Sequence, residues 1–280
     1  MQKFRIDLDL EVNIYYFCQN QKKEVMKRIA FFLSVLMIAP VILFSQGTSQ
    51  KNDTLNRLNA QGQKSGYWEE QIADQIAKGY YLNNNKDGCW VTQLLNNLLV
   101  RIENYSNGKK DGISVTFDRR NRILDQEYYK NGLLDGVSIT YNNYNEFPLT
   151  EIYYSKGKKN GSSKIYYDNG KIQEEATFKD EAKNGNARWF NRNGKVMAEY
   201  NYVNGMFEGI QKQFYENDTL QSVANYSKNN FAGAYQEFYR NGKLKLTGQY
   251  VNGVKEGEWI EYDETGKAVS KTKFKNGVGK

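Results

Sequence analysis

Along residues 61–280 apolar and polar positions alternate two by two, in short runs broken by Gly, Asn and Asp. Alternation of this kind marks strands with one wet side, whereas a helix returns its apolar positions at three and four. The runs also repeat. The stretch YKNGLLDGVSITY, Tyr129 to Tyr141, is echoed by YVNGMFEGIQKQF, Tyr202 to Phe214. Marked by the second glycine of each phrase, the copies fall at Gly66, Gly88, Gly112, Gly136, Gly161, Gly185, Gly209, Gly233 and Gly257. Their spacings are 22, 24, 24, 25, 24, 24, 24 and 24 residues, a period that belongs to stacked supersecondary units.

Each unit holds two turns. The first precedes the marking glycine, at Gly62, Gly108, Gly132, Gly157, Gly205 and Gly253, with Asn84, Asn229 and Glu181 in the same slot elsewhere. The second follows it, as in Asn169-Gly170, Asn193-Gly194 and Asn241-Gly242. Asn-Gly between alternating runs predicts a tight hairpin in which both residues take positive φ. Two turns per period leave two strands, so one unit is one β-hairpin. A lone hairpin cannot bury its apolar side, and stability must come from stacking neighbours. The expected fold is all-β: an elongated, single-layer antiparallel sheet of about nine stacked hairpins, on the order of 85 Å long at the usual strand separation.

Large residues recur at fixed distances from the marking glycine. Five after it stand Phe117, Tyr141, Tyr166, Phe190, Phe214, Phe238 and Tyr262; seventeen after it stand Tyr105, Tyr129, Phe178, Tyr202, Tyr226, Tyr250 and Phe274. Aliphatic residues such as Ile123, Ile172 and Val196 fill the eleventh place. All three offsets are odd, which predicts one shared aromatic ladder. Trp68, Trp90, Tyr235 and Trp259 sit two after a marking glycine, an even offset, and are expected on the opposite, open face. They are the candidate partner-binding residues, because large rigid aromatics dominate binding when desolvated.

The repeat tolerates irregularity in predictable places. The 25-residue unit contains Pro148, where a bulge is expected. The first unit, from Gly66, is two residues short and reads as a cap or a distorted hairpin. Ahead of it, residues 46–60 are polar and patternless and read as a linker.

The amino terminus follows other rules. MKRIAFFLSVLMIAPVILFSQ, from Met26, has a basic start, an apolar run from Ile29 to Phe44 and then Ser45. That is the layout of a signal peptide over 26–45, and it predicts export with cleavage near Ser45. Residues 1–25 sit awkwardly ahead of it and read as an upstream extension outside the true coding start. Loss of Cys18 with the leader would leave Cys89 as the mature chain's one cysteine, read as a small half-buried strand residue.

Composition narrows the chemistry. The 280 residues include 22 tyrosines, 24 glycines, two prolines and no histidine. Without histidine there is no Ser-His or Cys-His dyad and no ordinary zinc site. The net charge is +7, too small for the length to indicate nucleic acid. GKKNGSSK, Gly157 to Lys164, lacks the glycine spacing and the ending of a phosphate loop. Asp87, Asp111, Asp135, Glu208 and Glu256 recur before marking glycines, but Asn160, Asn184 and Ala232 break the row, so turn chemistry is expected rather than a metal. No catalytic, cofactor or metal residue is assigned. Lys109, Lys158, Lys171, Lys195, Lys243 and Lys267 flank the turns and read as solvated. Asp53-Thr54-Leu55 and Asp218-Thr219-Leu220 are similar to a glycosylation acceptor triplet of exported bacterial proteins.

The phrase Y-x-x-G-x-x-x-G-x-x-x-x-[YF] followed by Y-x-N-G-K resembles the MORN repeat. It is closest to the variant form found in tandem in bacterial proteins, some described as antitoxins. The resemblance covers roughly residues 60–280, and YRNGKLKLTGQYVNGVKEGEWIEY, Tyr239 to Tyr262, is its clearest copy. It implies a non-enzymatic scaffold that binds a protein partner, with a polysaccharide or a membrane surface as further candidates. An antitoxin-like binder of one toxin and a lipid-contact module are the alternatives. A partner is expected on the tryptophan face, near one end of the stack.

Overall fold

The computed structural model describes residues 55–280, which form one compact unit. All of its regular structure is strand. The strands join one open antiparallel sheet in which each pairs with its neighbours in sequence. The first hairpin is β1 (Gly66–Ile72) and β2 (Gln75–Leu82). Then come β3 (Asn85–Leu94) with β4 (Leu99–Ser106), β5 (Lys109–Phe117) with β6 (Ile123–Lys130), and β7 (Leu133–Tyr141) with β8 (Pro148–Ser155). The series continues through β9 (Lys158–Tyr166) with β10 (Ile172–Lys179), and β11 (Ala182–Phe190) with β12 (Val196–Val203). A broken strand, β13 (Met206–Phe207) and β14 (Gly209–Phe214), pairs with β15 (Leu220–Ser227). Last come β16 (Asn230–Phe238) with β17 (Leu244–Val251), β18 (Val254–Tyr262) with β19 (Ala268–Lys275), and the stub β20 (Val278–Gly279). Nine stacked hairpins were expected, and nine are present among the described residues.

The two turns of each unit differ in kind. At the first, both central residues have positive φ: Asn107 and Gly108 at 49° and 77°, Asn252 and Gly253 at 52° and 83°, and even Asp180 and Glu181 at 47° and 72°. These are the two-residue turns whose twist matches paired strands. At the second turn a single residue is positive, glycine as at Gly170 with φ 77°, or a residue such as Asn97 or Asp218 with φ 67° or 66°. There Gly170 N–H donates to Tyr167 O and Tyr167 N–H to Lys171 O, closing a longer loop that ends in a register shift. The Asn-Gly signal therefore marks two loop types, and the one quoted for the second turn belongs to the first.

The short first unit is a complete hairpin. Its second turn is a two-residue link between Ile72 and Gln75, and this accounts for the missing pair of residues. The segment just before it is also part of the sheet, although a linker was expected. Asn56 N–H donates to Tyr67 O, Asn56 Oδ1 accepts from Glu69 N–H, and Leu58 bridges to Lys64, covering part of the β1 edge. The signal-peptide, upstream-extension and remaining linker assignments, residues 1–54, lie outside the described residues, as does Asp53-Thr54.

The hairpin register overturns the parity argument. Within a unit the marking glycine lies opposite the ring seventeen residues on: Gly88 opposite Tyr105, Gly209 opposite Tyr226, Gly257 opposite Phe274. Opposed residues share a face. Their offsets sum to an odd number, so even offsets on the first strand share a face with odd offsets on the second. Rings at seventeen therefore stand with residues at two, whereas those at five point to the other side. The expected single ladder is two rows on two faces.

Candidate functional site

The ring face is built from three repeating positions. The residue two before the marking glycine, the residue two after it and the ring at seventeen come together over the sheet. Six units carry lysine at the first position. Each ammonium lies over an aromatic ring: Lys86 is 4.0 Å from the Trp90 ring and 5.4 Å from Tyr105, Lys110 is 4.8 Å from Tyr129, and Lys183 is 4.6 Å from Trp189. Lys64, Lys159 and Lys255 repeat the arrangement over Tyr81, Phe178 and Trp259. A cation over a ring face is held by the ring's quadrupole, more strongly as water is excluded. Sequence alternation alone does not reveal this lysine slot, because the rings it meets lie on neighbouring strands and only the register brings them together.

Trp90 and Trp259 stand in this packing rather than on an open face. They are 1% and 3% exposed, and their indole Nε1–H groups donate to Tyr80 O at 3.0 Å and Gln249 O at 3.2 Å. Each covers a glycine of the preceding hairpin, Gly79 and Gly248, where a Cβ would come within 2.6 Å of three indole carbons. Trp68 is half-buried and donates to Arg57 O at 3.2 Å. Tyr235 packs against Phe231, Tyr250 and Trp259, and its hydroxyl donates to Glu237 at 2.6 Å. Trp90 and Trp259 are closed off as partner anchors, and the odd register sum explains why they share a face with the rings.

Electrostatics on this face are those of half-buried phenols and ammoniums. Burial, helped by the neighbouring Glu103 carboxylate, pushes the Tyr105 hydroxyl up to about 12. On the opposite face, Tyr166 rises to about 12 by burial beside Glu151. Burial holds the Lys86 ammonium below the usual lysine range. Glu103 is itself buried and paired with Lys110 at 2.8 Å. Among the described residues no cluster of metal-ligating side chains forms.

The turn edge is stitched from unit to unit. Tyr167, Tyr215 and Tyr239 donate to the carbonyls of Phe190, Phe238 and Tyr262 in the following hairpins. Asn169, Asn217 and Asn241 donate to Arg192 O, Arg240 O and Glu264 O. Lys171, Lys195 and Lys243 are part of this stitching, since their ammoniums donate to Asn193 O, Glu216 O and Thr265 O. All three side chains stay exposed, as expected of turn charges, while making these bonds. The acidic turn residues behave as turn chemistry: Asp111, Asp135, Glu208 and Glu256 accept backbone N–H groups of Asn131, Lys156, Lys228 and Asn276. The Thr219 hydroxyl donates to Asn217 Oδ1 inside its turn. Cys89 is half-buried on β3, as expected of a small strand residue.

The ring face changes character in units seven and eight. Phe207 and Phe231 replace the slot lysine there. Phe207 contacts Tyr200, Tyr202 and Tyr226, and Phe231 stacks on Tyr250 with centroids 4.5 Å apart. The chain of ring contacts runs unbroken from Trp189 to Phe274.

One sheet built from one repeated hairpin defines a β-hairpin repeat protein. Five units match the model of the MORN repeat variant, at residues 159–180, 183–204, 207–228, 232–252 and 255–276. Residues 159–276 are therefore MORN repeats, five copies in tandem. No curated protein matches it. A crystal structure of an S. aureus TarM mutant in complex with Fondaparinux, alpha-GlcNAc-glycerol and UDP is 18% identical over 48% of this chain, with a TM-score of 0.22. The match spans 21% of that protein's length, and a likeness of this size carries no argument.

Proposed function

We propose that this chain is an exported, non-enzymatic scaffold that uses its long repeat sheet to hold a protein or cell-surface partner. The observation that supports it most is the sheet itself. Seven of the nine units present the same positions in the same register, and titratable groups are used in stacking rather than gathered round a cleft. Extended repeat surfaces of this kind suit extended partners. The basic-then-apolar segment from Met26 supports export.

The test is to express the tagged chain from Met26 in its host, sequence its amino terminus, fractionate the cells and cross-link in place. Processing near Ser45, recovery outside the cytoplasm and a defined cross-linked complex are expected. An intact amino terminus in the cytosol overturns export. Absence of any cross-linked species overturns the scaffold.

A further inference from the structure

We infer that the ring face from Tyr200 to Phe231 is a binding surface for a neutral polysaccharide; this rests on the reading of the chain as a binding scaffold. Between Lys183 and Glu237 the register places no charged side chain on this face. The surface holds Tyr200, Phe207, Tyr226 and Phe231, half-buried and braced ring against ring. Beside them runs a neutral hydrogen-bonding chain: the Gln213 amide donates to the Tyr200 hydroxyl at 2.7 Å, and Ser222 donates to Gln213 Oε1 at 3.5 Å. Gln213 is exposed.

The substitution pattern is what singles the region out. In six of nine units a lysine closes the ring face with a charge, and in the two adjacent units it is phenylalanine. The exchange removes the field that would attract an anionic polymer and adds apolar carbon in its place. Sugar rings offer C–H faces that pack on aromatic carbon, and hydroxyls that pair with amides and phenols. Rings already locked by their neighbours lose little freedom on binding. A neutral ligand also leaves no buried charge without a counter-charge, which an acidic or basic partner would do on this patch. Successive units repeat every two strands, so an extended chain can meet equivalent rings along the stack.

The test is affinity electrophoresis of the full chain in gels containing β-glucan, dextran, mannan or galactan, with alginate as the anionic comparison, at low and high salt. Retardation by at least one neutral polymer, unchanged by salt, is expected. The variant Phe207→Lys/Phe231→Lys restores the side chain of the other six units, so its fold should survive, as checked by circular dichroism. It should bind at least ten-fold more weakly. Gln213→Ala/Ser222→Ala, which alters only polar groups, should lose several-fold. No retardation by any neutral polymer, retardation by alginate alone, or unchanged binding by both variants overturns the proposal. If a cross-linked protein partner is lost in the lysine variant while no neutral polymer binds, the scaffold reading stands and the polysaccharide assignment falls.

Discussion

Units two to four and units five to nine share one hairpin, yet they use the face away from the ring row in opposite ways. In β4 and β5, Ile102, Ile113 and Val115 lie there, only 4%, 4% and 2% exposed. In the later units the same positions carry charge. Arg188 on β11 reaches across to Glu175 on β10, Lys212 pairs with Glu199 at 4.0 Å, and Lys271 pairs with Glu258 at 2.7 Å. The backbone is common and the side chains are not. The turns and the marking glycines therefore fix the hairpin, while the face is free to be apolar or ionic. These ionic pairs all fall among the five copies matched by the family model, of which unit eight carries Ala234, Gln236 and Thr247 there.

The largest effects should come where both regions obey the same rule. Trp90 and Trp259 sit near opposite ends of the sheet, each over a glycine. Trp90→Ala and Trp259→Ala should each cost about 3–5 kcal/mol, as for other buried aromatics cut to alanine. Gly248→Ala should approach that cost, because its methyl would occupy the indole's place. Urea unfolding followed by tryptophan fluorescence measures all three. A Gly248→Ala protein as stable as the parent would show that the indole packing is not what holds the two hairpins together.

The next comparison isolates the face. Ile113 and Ile210 occupy the same place, one after a marking glycine, but Ile210 is 52% exposed. Ile113→Ala should cost about 2–5 kcal/mol. Ile210→Ala should stay within about 0.5 kcal/mol, as for an ordinary surface change. Equal losses at the two sites would erase the distinction between the regions.

These contrasts separate what the sequence reveals from what it hides. The hairpin, its period and the stacking were legible, because glycine and asparagine at tight turns and alternation along strands are local signals. The face assignment was not. It depends on which residues lie opposite each other, and a register whose offsets sum to seventeen exchanges odd for even between the two strands. That number is set by a two-strand register and two different loops, not by alternation along one strand. The same error sent Trp90 and Trp259 to the open face and hid the lysine slot. The neutral patch was legible in principle, since Phe207 and Phe231 stand where six lysines stand elsewhere, once the slot is aligned.

Each face should also report its own protonation, the ring face through Tyr105 and the opposite face through Tyr166. Tyr105 and Tyr166 ionise near 12 in the folded chain, above the ordinary phenol value of 10. A folded value above the unfolded one adds stability that is complete below the unfolded value and lost as pH rises through the folded one. The urea midpoint should therefore be flat from neutral pH to about 9 and fall progressively from about pH 10 to 12. Tyr105→Phe should reduce the steepness of that fall. A midpoint that does not move over this alkaline range would mean these phenols titrate as in the unfolded chain.

The smallest effect is expected where the later units look most ordered. Arg188 Nε donates to Glu175 Oε1 at 2.6 Å, a short contact that invites a structural role. Both side chains remain partly in water, however, and holding two long side chains in place offsets much of the attraction. Their coupling in a double-mutant cycle with Arg188→Ala and Glu175→Ala should be about 0.2–1 kcal/mol and should shrink at high salt. By contrast, exchanging charge for packing at the equivalent place in the early units, as in Val115→Lys, should be severe, because an ammonium would replace an almost fully enclosed side chain. If the Arg188–Glu175 coupling matched the loss at Val115, the ionic face would be as much a structural core as the apolar one. A weak, salt-sensitive coupling would leave the later units held by their turns and rings, with that face free of structural duty.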